Sequence, residues 1–256
     1  GIVGTISQGT ITDAINKGDI FSKAESYHNL DRYRAGNVGG IAGKADMTNM
    51  TNVTNQEANI RGAMNVGGIV GYYGNSSGKE NYRIQNGQND GGDISATGGV
   101  VSGGKNDGTY SQEQCVIGTS ETYTVGNIGG IAGLLYGSAI HIEGSVNRGD
   151  VHTPHFTENA PETAKAANVG GIVGKIDEPF MMKDGKSLSA QDRLNEIKKD
   201  GTFATVSGSA NNGNVEGNVN IGGIVGFSFN GSITSSYNLG TITPTRKGSG
   251  SVALVD

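Results

Sequence analysis

One seven-residue pattern recurs along the chain and constrains its fold more than any other feature. The pattern is Asn-[Val/Ile]-Gly-Gly-Ile-[Ala/Val]-Gly, and its five intact copies start at Asn37, Asn65, Asn127, Asn168 and Asn220. The smallest spacing between copies is about 28 residues, close to one coil of a three-faced β-solenoid. A unit of this size cannot cover its own apolar face, so equivalent units are expected to stack and bury it.

A second pattern alternates with the heptad. It starts at an Ile or Val and ends in Asn-x-Gly-x-[Ile/Val]. Asn and Gly both tolerate positive φ, and an Asn side chain can hydrogen-bond its own backbone, so Asn-x-Gly predicts a turn. Each unit is therefore expected to contain short strands joined by turns. Clear copies occupy 11–20, 142–151, 206–215 and 233–242, and longer versions occupy 55–60 and 89–94.

Together the two patterns predict an all-β chain, a right-handed parallel β-helix or β-solenoid of about six units that forms one domain over residues 1–256. Stacked antiparallel hairpins are the alternative, because short turns join antiparallel strands directly. The chain begins at Gly1 without Met, so we expect it to be excised from a longer protein. A helical or loop insertion is expected at about 175–201, where Ser189–Asp192 resembles a capping box before Arg193–Lys199.

The paired glycines of the heptad are expected to be structural. In a regular strand Val38 and Ile41 would face opposite sides, so either both faces are covered or the glycine pair turns both side chains inward. Gly-Gly also removes the side chains that hold a neighbouring backbone at a distance, so one close approach should recur in every unit. The glycines concerned are Gly39, Gly40, Gly67, Gly68, Gly129, Gly130, Gly170, Gly171, Gly222 and Gly223.

Composition argues against several functions. The chain has 17% charged residues and a formal net charge of −5, with no dense run of Lys and Arg, so a nucleic-acid partner is not expected. It contains neither an apolar run long enough to span a membrane nor a signal-peptide pattern, so membrane insertion is not expected. One Cys in 256 residues excludes a disulfide scaffold.

The heptad Asn-Val-Gly-Gly-Ile-Val-Gly, followed by a segment such as Gly231–Ile242, is similar to the GLUG repeat, named for a Gly-Leu-any-Gly core, with Ile in the Leu position. The resemblance covers most of the chain apart from the insertions. Proteins with such repeats are typically large, secreted or wall-anchored bacterial proteins, including adhesin-like proteins and noncatalytic regions of immunoglobulin-A-cleaving zinc metallopeptidases. The resemblance implies a cell-surface stalk or binding module beside other repeats or domains of the same polypeptide, and it assigns no catalytic residue.

Few residues outside the repeats suggest chemistry. Asp90 and Asp93 offer oxygen ligands on flexible backbone, which suits Ca²⁺, the one cofactor considered; turn formation explains them equally well. His152 and His155 flank a proline and lack the helix of a His-Glu-x-x-His zinc site, so a solvated loop is favoured over a metal site. Cys115 has no adjacent His or cation, which favours an inert thiol over a nucleophile or a thioester.

Aromatic residues follow three of the heptads by one to three positions, and they could line one edge of the stack. Core or edge covering is the simpler interpretation, and a strip on which carbohydrate stacks is the alternative. The residues are Tyr72, Tyr73, Tyr136, Phe227 and Phe229.

Three functional classes follow. The first is a noncatalytic structural or adhesive module of a bacterial cell-surface protein, acting as stalk and as contact surface for a host surface protein or glycan. The second is a carbohydrate-binding module. The third is a polysaccharide-active enzyme, which needs paired carboxylates or a base beside cations. Acidic residues cluster in the insertions while the repeats are nearly uncharged, so we expect no enzyme activity.

Overall fold

The structure is a computed structural model. It describes residues 1–22, 36–62, 65–77, 80–96, 126–153, 168–177, 182–183, 186–187, 192, 203–217, 220–244 and 254–255. Nearly all of these residues lie in strands or in the turns between them.

The strands are short. In chain order they are β1 (Val3–Thr12), β2 (Ile15–Asn16), β3 (Ile20–Phe21), β4 (Asn37–Gly39), β5 (Ala42–Thr51), β6 (Thr54–Gln56), β7 (Ile60–Gly62), β8 (Asn65–Gly67), β9 (Val70–Gly74), β10 (Tyr82–Gln85), β11 (Gln88–Asp90), β12 (Ile94–Ala96), β13 (Asn127–Gly129), β14 (Ala132–Tyr136), β15 (Ile140–Glu143), β16 (Val146–Asn147), β17 (Val151–His152), β18 (Asn168–Gly170), β19 (Val173–Asp177), β20 (Met182–Lys183), β21 (Lys186–Ser187), β22 (Ala204–Ser207), β23 (Ala210–Asn211), β24 (Val215–Gly217), β25 (Asn220–Gly222), β26 (Val225–Ser228), β27 (Gly231–Thr234), β28 (Tyr237–Asn238), β29 (Ile242–Pro244) and β30 (Leu254–Val255).

The strands form four large parallel sheets. Sheet A has ten strands in the order β26-β19-β14-β9-β5-β10-β15-β22-β27, with β1 also paired to β5. The six-stranded sheets are sheet B (β2-β6-β11-β16-β23-β28), sheet C (β29-β24-β17-β12-β7-β3) and sheet D (β30-β25-β18-β13-β8-β4).

The chain passes through sheets D, A, B and C in the same order repeatedly. We call each pass a layer: β1–β3, β4–β7, β8–β12, β13–β17, β18–β24 and β25–β29. Strands of successive layers pair in parallel in all four sheets, as β4–β8, β5–β9, β6–β11 and β7–β12 do. The expected all-β, parallel, solenoid-like architecture is confirmed, and the antiparallel-hairpin alternative is wrong for the repeats.

Equivalent residues of the repeats lie above one another. In sheet D, Asn127 pairs with Asn65 on one side and with Asn168 on the other. In sheet C, Ile60 pairs with Ile20 and with Ile94. Because strands in a sheet are about 4.8 Å apart, identical apolar side chains form continuous columns along the stack axis.

The interior is divided into two apolar clusters. The larger one lies against sheet A and contains Ile41, Val70 and Ile142 among its fully buried side chains. The smaller one lies against sheets C and D and contains Val38 and Ile60. Both Val38 and Ile41 therefore point inward, on either side of the glycine pair, which turns the chain from sheet D into sheet A.

The second glycine of each heptad separates the two clusters. A Cβ added at Gly130 would overlap the carbonyl oxygen of Gly171 in the next layer and the buried side chain of Asn147 in sheet B. A Cβ at Gly171 would likewise overlap Gly223 and Asn211. The predicted close approach thus recurs from layer to layer, and the heptad and the Asn-x-Gly pattern occur together because the glycine of one contacts the asparagine of the other.

The asparagines of sheet B form a continuous hydrogen-bonded ladder. Each Nδ2 donates to the Oδ1 of the next layer, at 2.7–2.8 Å. Most also donate to a backbone carbonyl of their own turn, as Asn147 Nδ2 does to Gly149 at 2.8 Å. The ladder consists of Asn16, Asn55, Asn89, Asn147, Asn211 and Asn238.

A second ladder in sheet D runs in the opposite direction. There each Nδ2 donates to the Oδ1 of the preceding layer, at 2.7–2.8 Å. Its members are Asn37, Asn65, Asn127, Asn168 and Asn220. A buried amide costs free energy unless it is hydrogen-bonded, so each ladder satisfies groups that could not otherwise lie inside the stack.

Residues with positive φ do not lie where the sequence analysis expected them, in the Asn-x-Gly turns. Neither Asn nor Gly of the Asn-x-Gly turns at 16–18 or 147–149 has positive φ; the Asn builds the ladder, and the Gly permits close packing. Positive φ instead recurs at the turn between sheets A and B, where φ lies between 50° and 58°. The residues at that turn are Asp13, Asn52, Asn86, Gly144, Gly208 and Ser235.

Within the expected 175–201 insertion, β19 belongs to the stack, and β20 and β21 form an antiparallel pair. The predicted helix over 193–199 lies outside the described residues. Within the described part of the chain no helix is long and apolar enough to cross a membrane.

Candidate functional site

The outer face of sheet A along β5, β9, β14, β19 and β26 carries different side chains in successive layers. One column of this face holds the residue that follows the third glycine of each heptad: Lys44, Tyr72, Leu134, Lys175 and Phe227. The adjacent column holds Asp46, Gly74, Tyr136, Asp177 and Phe229. We call these ten residues the outer strip.

The third heptad glycine decides which residues face outward. In β9, Val70 and Tyr73 are both buried, although they are three positions apart and side chains of a regular strand return to the same face every two positions. The pairing between β5 and β9 skips Gly43 and Gly71 together, so both strands break their alternation at the same place and stay in one-to-one register. Tyr72 is therefore placed on the outer face and Tyr73 in the core.

Two aromatic rings meet in the middle of the outer strip. The ring centroids of Tyr72 and Tyr136 are 5.8 Å apart and the ring planes are inclined by 39°. The Tyr72 side chain lies across Gly74, since a Cβ there would come within 3.0 Å of Tyr72 Oη. The glycine thus leaves room for the ring to lie along its own strand, and the pair forms one apolar platform.

Charged groups lie on either side of this platform. Lys44 Nζ is 4.9 Å from the centroid of the Tyr72 ring, a cation–π distance. Lys175 Nζ is 5.5 Å from the centroid of Phe227 and 2.7 Å from Asp177 Oδ2. In the adjacent column of the strip, Asp46 Oδ1 accepts a hydrogen bond from the Ser76 N–H at 3.1 Å, and Asp46 Oδ2 accepts one from the Ser76 hydroxyl at 2.8 Å.

The surroundings of Tyr72 in the outer strip keep its hydroxyl neutral. Burial, and then the charges of Asp46 and Tyr136, raise the pKa of Tyr72 far above its ordinary value of 10.0. Its hydroxyl is therefore protonated at any physiological pH and acts as a hydrogen-bond donor or acceptor. The strip contains two lysines and two aspartates and no histidine.

Tyr73 does not belong to this face. It is fully buried in the larger cluster, and its hydroxyl donates to the Thr48 carbonyl at 2.7 Å. Phe227, in contrast, is 38% exposed. Sequence reasoning found the aromatic members of the strip and missed Lys44, Leu134 and Lys175, although their place directly after the heptad was a usable signal.

The predicted calcium ligands lie beside basic side chains. Asp90 Oδ1 is 3.3 Å from Arg148 Nη1, and Asp93 Oδ2 is 3.8 Å from His152 Nε2. No group of three His, Cys, Asp or Glu residues with metal-binding geometry is found among the described ranges. Calcium binding at Asp90 and Asp93 stays a prediction, and Cys115 and His155 lie outside the described residues.

A shallow groove of about 480 Å³ follows the turns between sheets B and C. Its wall includes Asp93, Asp150, His152 and Glu216. Asp150 Oδ1 already accepts the backbone N–H of Asn214 at 2.8 Å, so part of this acidic surface serves to connect the layers.

No protein-family model, curated protein or solved structure matches the chain.

Proposed function

We propose that this chain is a noncatalytic, repeat-built module of a secreted or wall-anchored bacterial surface protein, with about six GLUG-like repeats. In this proposal it acts as a stalk and as a contact surface for a host protein or glycan. The similarity of the heptads to the GLUG repeat supports the cell-surface location and the presence of further repeats or domains in the same polypeptide.

The contacts between layers support the stalk role. Parallel pairing in four sheets and two buried asparagine ladders join each layer to the next. Each layer extends the stack by about 4.8 Å without changing the interior. A module of this kind gains length by adding units, and its stiffness comes from contacts that repeat in every unit.

The outer strip carries the contact role, and it is the main observation behind the proposal. Tyr72, Tyr136 and Phe227 are partly exposed on rigid strands, whereas the equivalent inward positions bury their side chains for packing. Exposed aromatics grouped on a fixed surface are typical of binding sites, because they supply apolar area with little loss of side-chain entropy.

A binding screen tests the proposal. The purified chain is applied to immobilised host matrix proteins and to a glycan array, with and without added calcium, beside the double variant Tyr72→Ala/Tyr136→Ala. Tyr237→Ala is the matched control, because Tyr237 is 55% exposed on sheet B, outside the strip. We expect the double variant to lose a ligand that the control retains. Cleavage of a polysaccharide by the wild-type chain would show the noncatalytic assignment to be wrong.

A further inference from the structure

We propose that the outer strip binds a neutral, extended polysaccharide whose chain runs along the stack axis and crosses the layers. The inference rests on the contact role proposed above and names the ligand of that surface. It is argued from the size of the strip, its balance of charge and the order of its side chains.

The strip is too small for a stable protein interface. Two side chains separated by one residue on a strand are about 7 Å apart, and five layers span about 19 Å, so the strip measures roughly 130 Å² between side-chain positions. A stable protein–protein interface buries about 800 Å² on each partner. A surface two columns wide and several layers long has the dimensions of a single linear chain.

The charges of the strip cancel. Lys44 and Lys175 are balanced by Asp46 and Asp177, and the Lys175–Asp177 pair is in direct contact at 2.7 Å. A polyanion or a polycation therefore gains no net Coulomb attraction here. Ammonium groups donate and carboxylates accept strong hydrogen bonds, which is the capacity that the hydroxyl groups of an uncharged sugar require.

The order of the layers matches an amphipathic chain. The second and fifth layers carry the charged pairs, and the two layers between them carry Tyr72, Leu134 and Tyr136. The C–H face of a pyranose ring packs on aromatic and aliphatic side chains, while hydroxyls farther along the glycan reach the charged layers on either side of the aromatic ones. Because the columns are in straight register, an extended glycan follows them and a coiled glycan does not.

Calorimetric titration with defined oligosaccharides tests the ligand. The probes are cellohexaose and chitohexaose, which are neutral and extended, maltohexaose, which is neutral and coiled, and an oligogalacturonate, which is acidic and extended. We expect one of the first two to bind best. Tyr72→Ala or Tyr136→Ala should weaken that binding at least about five-fold, and Tyr237→Ala should leave it unchanged.

A second variant displaces the platform and keeps every aromatic ring. In Gly74→Ala the new Cβ would lie 2.5 Å from Tyr72 Cε1 and 3.0 Å from Asp46 Oδ1, so the ring must move away from its strand. We expect weaker glycan binding with an unchanged unfolding midpoint, since the contacted atoms are the outer ends of side chains. This variant separates loss of the site from loss of folding.

The outcomes distinguish this inference from the broader proposal. A host protein bound through the strip, with none of the neutral glycans bound, overturns the polysaccharide assignment and leaves the contact role intact. Preference for oligogalacturonate or maltohexaose also overturns it. If no ligand of any class depends on Tyr72 or Tyr136, both the inference and the contact role are wrong.

Discussion

The inward-facing and outward-facing columns of sheet A differ in how much the residue type varies from layer to layer. In sheet A the inward column Val3, Ala42, Val70, Ala132, Val173 and Val225 contains only small aliphatic residues. The outer column beside it contains lysine, tyrosine, leucine and phenylalanine in five of these six strands, and Thr5 in β1. An inward residue packs against its own equivalents above and below, so every layer imposes the same size, whereas an outward residue meets solvent or a partner.

This difference indicates which residues of such a stack can determine ligand specificity. The interior is built from contacts that each layer repeats, so it determines shape and stability. The outer strip varies from layer to layer, because a side chain that meets solvent can change at little cost in folding. The predictions below change one side of this comparison at a time.

The largest effect is expected at the glycines between the two clusters. In Gly130→Ala the new Cβ would overlap the Gly171 carbonyl, so the backbone must shift, and we expect a loss of about 3 kcal/mol in the free energy of unfolding measured with urea. Gly4→Ala is the control, because no atom lies within 4 Å of its added Cβ, and it should change stability by less than about 0.5 kcal/mol. Equal losses would contradict the role assigned to close approach.

Removing an asparagine from the middle of the sheet B ladder should lower the free energy of unfolding by nearly as much. Asn147→Ala removes the acceptor of the buried Asn89 Nδ2 and the donor to the buried Asn211 Oδ1, so we expect a loss of about 2–3 kcal/mol. Asn16 bonds to only one other member of the ladder, Asn55, and Asn16→Ala should cost about half as much. Chemical denaturation of both variants tests this, and a larger loss at Asn16 would argue against the ladder as a source of stability.

Neighbouring tyrosines should respond differently to the same change. Tyr73→Phe leaves the buried Thr48 carbonyl without its donor, and we expect a loss of about 1 kcal/mol in unfolding free energy. Tyr72→Phe alters the outer strip alone and should stay within about 0.5 kcal/mol of wild type. A reversed order would mean that the assignment of the two side chains to core and surface is incorrect.

The smallest effect is a pH dependence on the outer face of sheet A. Burial lowers the pKa of His141 below its ordinary value of 6.5, with opposing contributions from Glu143, which raises it, and Arg83, which lowers it. Its Nδ1 lies 2.7 Å from Thr205 Oγ1 and its Nε2 lies 3.0 Å from Asn81 Oδ1, so both ring nitrogens have an oxygen partner in the folded chain.

Below about pH 6.5 the unfolded chain therefore binds a proton more readily than the folded chain, and stability decreases as the pH falls until folded His141 is also protonated. We expect His141→Gln to reduce this decrease between pH 6.5 and pH 5.5 in urea titrations. An unchanged slope would show that other groups cause it.

Much of the stack could be predicted from the sequence, because its contacts are between equivalent residues. The heptads predicted parallel columns, and the glycine pair predicted one close approach in every unit. Of the two reasons for the Asn-x-Gly turns, hydrogen bonding of Asn to its own backbone holds, since Asn147 Nδ2 donates to the Gly149 carbonyl, whereas positive φ does not; Asn147 also belongs to the ladder, and Gly149 permits close packing. A turn signal and a ladder signal use the same residues, and sequence alone does not separate them.

The outer strip could be predicted only in part. Tyr72 and Tyr73 are adjacent and identical, and the sequence treated both as possible ligand contacts. Which of them faces outward depends on the break in side-chain alternation at Gly71, which the paired strands of the layers on either side share.

The repeated pattern by itself determined that the chain stacks in layers and buries like residues on like, since such a unit has no other way to cover its apolar face. The tertiary structure decided which side chains of sheet A are presented together, how their charges pair and that two rings meet at 5.8 Å. The ring contact joins residues of different layers, which only the register between strands brings together, and the Lys175–Asp177 pair forms because both side chains face outward on one strand.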